Sequence, residues 1–84
     1  MTTVPKAQFA MVRWREGYLP SEVDDFLVDV QPLLSGRLPD AALAERIRTV
    51  AFTPVRFRPG YDMADVDDHL DVLHALASQG HLRR

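Results

Sequence analysis

"RFRPGYDMADVDDHL" (residues 56–70) repeats, with few changes, "RWREGYLPSEVDDFL" (residues 13–27). A shift of 43 residues aligns the two halves without a gap, so that Phe9 meets Phe52, Gly17-Tyr18 meets Gly60-Tyr61, and Val23-Asp24-Asp25 meets Val66-Asp67-Asp68. Agreement over so long a window marks an internal duplication, and a duplicated phrase is either two half-sites or two halves of one core.

Each copy divides into an arm, a turn and a helix. In the arms Val12 and Trp14 alternate with Arg13 and Arg15, and Val55 and Phe57 with Arg56 and Arg58, which is the two-residue period of an extended chain. At Arg58-Pro59-Gly60-Tyr61 the proline and glycine predict a type II turn, with Gly60 at positive φ and Gly17 in the equivalent place. The helix of the second copy opens on Asp62 as N-cap, with Asp65 in its first turn. Its apolar face is Val66, Leu70, Leu73, Leu76 and Ala77, with His69 beside it, and Gly80 is its expected stop. In the first copy Leu19 is a poorer cap and Pro20 partly compensates; Val23, Phe26, Leu27 and Val30 form the face, and Pro32 ends or kinks the helix near Gln31. Between the copies Gly36 closes one helix, Pro39 opens another, and Leu43, Ile47 and Val50 give the second an apolar stripe.

These signals predict a single domain over residues 1–84: repeat one at 7–36, a linking helix at 39–50 and repeat two at 50–80. The expected fold class is α+β and mainly helical. Three helices join two short arms, paired as a small antiparallel ribbon about an internal approximate two-fold axis. The faces Val23, Phe26, Leu27 and Val30 are expected to pack on Val66, Leu70 and Leu73.

Composition narrows the function. Hydrophobic residues make up 46% and charged residues 26%, an ordinary globular balance. A net charge of -2 argues against a general nucleic-acid binder. The absence of cysteine removes disulfides, thiolate zinc sites and cysteine nucleophiles, and fits a reducing compartment. No apolar run reaches the length of a signal peptide or a membrane-spanning helix, so a cytoplasmic location is expected.

Catalysis finds no constellation to carry it. The adjacent carboxylates of each Val-Asp-Asp diverge by about 100° on a helix and do not converge on one site. Asp24 and Asp67 are instead expected to receive arginines or turn N–H groups. His69 and His74 are five residues apart, the wrong spacing for two ligands on one helix face, and neither a phosphate loop nor a zinc signature occurs. No enzyme activity, cofactor or metal is expected.

The phenylalanine, the arginine-flanked aromatic, Gly-Tyr, the acidic helix start and Val-Asp followed by Leu together resemble the DivIVA domain, in the short repeat form found in small bacterial proteins. Phe52, Arg56, Phe57, Arg58, Gly60, Tyr61, Asp62 and Asp67 match as they stand, as do Arg13, Arg15, Gly17, Tyr18 and Asp24 of the first copy. "LAERIRTVAF" resembles the short helix before the motif, which "VPKAQ" at 4–8 reduces in the first copy. The resemblance implies a role in bacterial cell division, polarity or envelope growth. It also implies a head that dimerises through parallel helices and touches the membrane with a loop bearing an aromatic residue and an arginine. The long coiled coil behind polar scaffolds has no counterpart here.

The triplets Arg13-Trp14-Arg15 and Arg56-Phe57-Arg58 are therefore the candidate binding residues. Two readings compete. In one, the aromatics insert at a lipid interface while the arginines meet anionic headgroups, placing the protein at the inner face of the cell membrane. In the other, which the scarcity of aromatics favours, Trp14 and Phe57 are buried in the small core and the arginines pair with nearby aspartates. The function expected is a non-enzymatic binding or adaptor module with a protein partner, acting as a monomer with an internal pseudo-dimer or as a homodimer. The alternatives are a peripheral membrane binder and a regulatory subunit of an enzyme or transcription complex.

Overall fold

The computed structural model describes residues 9–35 and 39–79. The expected helix stops at Gly36 and Gly80, the tail from His81 and the "VPKAQ" stretch lie outside the described residues. In chain order the elements are β1 (Met11–Val12), β2 (Gly17–Tyr18), α1 (Pro20–Val30), a 3₁₀ segment (Gln31–Ser35), α2 (Ala41–Thr49), β3 (Pro54–Val55), β4 (Gly60–Asp62) and α3 (Met63–Gln79). It is a mainly helical α+β architecture.

The helix ends follow local chemistry. Asp62 caps α3 by accepting the Asp65 N–H at 3.1 Å, and Asp40, one residue after Pro39, caps α2 by accepting the Leu43 N–H at 2.9 Å. Leu19 supplies no side-chain cap to α1, and Pro20 stands in its first turn where no N–H is needed. Pro32 cannot donate to the helical ladder, and α1 gives way to the 3₁₀ segment at Gln31.

The four strands form one antiparallel sheet in the order β1-β4-β2-β3. The arms do pair, but they interleave. Met11 lies opposite Tyr61, Tyr18 opposite Tyr61, and Tyr18 opposite Pro54, so strands of the two repeats alternate across the sheet. Since β1 and β2 both run antiparallel to β4, they run parallel to each other with β4 between them. The loop Arg13–Glu16 must therefore cross β4, and the loop Arg56–Pro59 must cross β2 in the same way. Parallel neighbours ordinarily need a connection of about a dozen residues. Here four suffice because the strands are so short.

This crossing explains the glycines, and corrects the expectation of a type II turn. Neither Gly17 nor Gly60 occupies the left-handed region; both sit in strands. What requires glycine is space. A Cβ on Gly17 would lie 2.7 Å from the Tyr61 carbonyl oxygen and 2.9 Å from Val12 Cγ2, and one on Gly60 would lie 2.8 Å from Val55 Cγ2. The left-handed residue is Phe57 instead, at φ 65°. The alternation read along the arms stops with the two-residue strands, because the chain bends at Arg13–Arg15 and again at Phe57–Arg58.

The core obeys the same approximate two-fold. Val23 and Val66, equivalent in the repeats, are fully buried, as are Val30 and Leu73. Phe26, Leu27, Leu34, Leu43, Ala44, Ile47 and Ala77 join them, each Val, Leu, Ile or Phe side chain contributing roughly 1.5–3 kcal/mol on burial and each alanine less. Leu70 is only half-buried, so the two helix faces are less equal than the sequence suggests. Helix α2 lies closest along α3 and has no counterpart among the described residues of the first repeat.

Candidate functional site

Both α1 and α3 start where a strand of the sheet ends, and the loops that cross the sheet carry the two arginine-aromatic triplets. The structure brings the triplets together. The Phe57 N–H donates to the Arg13 carbonyl at 3.0 Å, pinning one loop to the other. An aromatic residue at φ 65° is strained, and this bond helps hold it there.

Trp14 and Phe57 are not in the core. They are 79% and 70% exposed, and Met11 beside them is 53% exposed. The expectation of burial fails because the crossing lifts both loop tips off the helices, and the helices fill their own core without them. Trp14 and Phe57, on loops joined by the Phe57–Arg13 bond, thus stand in solvent, where an isolated protein gains nothing from them. A cleft of about 420 Å³ opens among Met11, Val12, Arg13, Trp14 and Arg15.

The arginines do not pair with Asp24 or Asp67 either. Arg15 donates to Asp62 at 2.5 Å. That bond, together with the Asp65 N–H, holds the Asp62 carboxyl below the usual range. The Arg56 guanidinium stacks 5.8 Å from the Phe57 ring centre. Arg13, Arg56 and Arg58 are exposed and form no ion pair among the described residues.

Asp24 and Asp67 have tyrosine partners instead. The Tyr18 hydroxyl donates to Asp67 at 3.0 Å and the Tyr61 hydroxyl to Asp24 at 2.8 Å, each bond joining the two repeats. Burial first and the Asp67 bond second push the Tyr18 phenol up; for Tyr61 the Asp24 bond comes first and burial second. The repeat alignment contained the signal for this exchange, because each Tyr-Asp pair maps onto the other.

His69 occupies the place of Phe26 in the first repeat. It packs edge-on against Phe9, with ring centres 5.4 Å apart, and its buried Nε2 has no hydrogen-bond partner among the described residues. Burial lowers its pKa. A second cleft, about 490 Å³, runs between α2 and α3 past Arg48, Asp67, Asp71 and His74. There Arg48 is held by Glu45, and no nucleophile stands beside a base. Among the described residues, no three or more His, Cys, Asp or Glu side chains are placed to share a metal ion. No helix of the described residues is long and apolar enough to cross a membrane.

No protein-family model, curated protein or solved structure matches this chain.

Proposed function

We propose that this chain is a non-enzymatic adaptor that rests its crossed loops on an anionic membrane surface and leaves its helices to a protein partner. The exposure of Trp14 and Phe57 on adjoining loops, with Arg13, Arg56 and Arg58 in no ion pair among the described residues, is the observation that carries this reading. Indole and phenyl rings favour the lipid interface, and each arginine near an anionic leaflet adds about 1 kcal/mol. One such anchor is marginal, but two pinned together bind as a unit. The resemblance to DivIVA domains supports the same reading and the setting of cell division, polarity or envelope growth.

Trp14 is the only tryptophan in the chain, so its fluorescence reports on the site directly. Its emission should shift to the blue with vesicles containing phosphatidylglycerol, stay unshifted with phosphatidylcholine alone, and revert as salt is added. A Phe57→Ser change should weaken the shift without lowering the melting temperature, because the ring touches little of the core. An unshifted spectrum on anionic vesicles would remove the membrane from the proposal.

A further inference from the structure

The two loops look equivalent in sequence, but their charges are not. In the first, Arg15 is held by Asp62, and Glu16 follows it in the loop. In the second, the residue equivalent to Asp62 is Leu19, and the residue equivalent to Glu16 is Pro59. Both carboxylates that balance the first loop are thus missing from the second. Arg56 and Arg58 form no ion pair among the described residues, and Arg56 is further oriented by its stacking on Phe57.

We infer that the second loop, Arg56–Pro59, is the anion-binding element of this surface, with Arg58 as its chief contact to the phosphate of a lipid headgroup, whereas the first loop anchors through Trp14. The inference rests on the membrane reading above and divides its labour. Arg58 can swing to a phosphate, since it has no ion-pair partner to leave among the described residues. Arg15 would have to give up Asp62, to which it donates at 2.5 Å. Phe57, fixed at φ 65° by the bond to Arg13, keeps the second loop turned outward.

The pseudo-symmetry supplies its own test. Leu19→Asp gives Arg58 the carboxylate that Asp62 gives Arg15, and aspartate is also the better N-cap for α1. The full-length chain and its Leu19→Asp, Arg58→Gln and Arg15→Gln variants are titrated with phosphatidylcholine vesicles doped with phosphatidylglycerol. Melting temperatures are measured alongside. Arg58→Gln should lower the affinity about fivefold, the contribution of one cation at an anionic surface. Leu19→Asp should do the same without loss of stability. Arg15→Gln should lose less affinity and more melting temperature. Equal losses from Arg15→Gln and Arg58→Gln would overturn the division between the loops and leave membrane binding standing. Absence of binding by the unaltered chain would overturn both. Competition by inorganic phosphate matched to the lipid phosphate would move the site from headgroups to soluble anions, and so overturn the lipid assignment.

Discussion

Tyr61 of the second repeat donates its hydroxyl to Asp24 of the first across 2.8 Å, and the bond recurs with the repeats exchanged, from Tyr18 to Asp67. Each is a clasp that exists only when both halves are in place. Tyr18→Phe and Tyr61→Phe should each lower stability by about 1 kcal/mol in urea titrations. A loss confined to one of the two would mean that the repeats do not share the interface evenly.

The same phenols set an alkaline limit. Their pKa values are raised in the folded protein, so the stability they contribute is complete below pH about 10 and is lost as pH rises through the folded values. The urea midpoint of the Tyr18→Phe/Tyr61→Phe variant should vary less above pH 10 than that of the unaltered chain. Parallel curves would assign the alkaline loss to other groups.

At the glycines the obstacle differs in kind. A methyl on Gly17 meets a backbone carbonyl oxygen, whereas one on Gly60 meets the Val55 side chain first. Each alanine should destabilise by roughly 1–3 kcal/mol, as overpacking does. Val55→Ala should restore much of the loss in Gly60→Ala, while Val12→Ala should restore little in Gly17→Ala. Equal rescue at both sites would contradict the geometry.

His69 should govern the acid side. Its pKa is depressed by burial, so its contribution is present above the ordinary histidine value and is lost as pH falls through the depressed one. His69→Phe, which installs the residue of the first repeat, should raise the melting temperature and flatten its decline as pH falls below about 6.5. The loss tied to Asp62, whose carboxyl is also depressed, belongs to a lower range, below the ordinary aspartate value, and should persist. An unchanged decline in His69→Phe would place the acid-sensitive group elsewhere.

Half of the chain should not fold alone. Among the described residues, every strand pairing of β1 and β2 is to β3 or β4, and the first helix shares its core with the third. A fragment of residues 1–42 should lack a cooperative melt as a monomer. Leu27→Ala in the full chain should cost roughly 2–5 kcal/mol, and Leu70→Ala less because Leu70 is only half-buried.

Much of this architecture was legible in the residues. The helical faces, the Asp62 cap and the break at Pro32 each depend on chemistry within a few positions, which a sequence displays directly. The crossing of the loops is different. It is set by which two-residue strand lies beside which, and strands of that length carry no pattern to fix register. The misreadings follow from that one gap. Pro-Gly suggests a local turn with Gly60 at positive φ, yet what requires glycine there is the nearby Val55 side chain and, behind it, the β2 backbone of the other repeat. Trp14 and Phe57 were expected inside because aromatics are scarce, and only the crossing shows that the core closes without them. Arg15 reaches Asp62 and not Asp67 for the same reason.

The alternation of strands has a consequence for the history of the chain. Two separate copies joined this way would associate according to their abundance, and every substitution would appear on both sides of the axis. Tethering the copies raises their effective concentration to about the millimolar range, so folding no longer depends on how much protein is present. It also lets one copy change without its twin. Asp62, which holds Arg15, and Leu19, which stands in the equivalent place without a carboxylate, are such a divergence, one that a symmetric pair of chains could not have acquired.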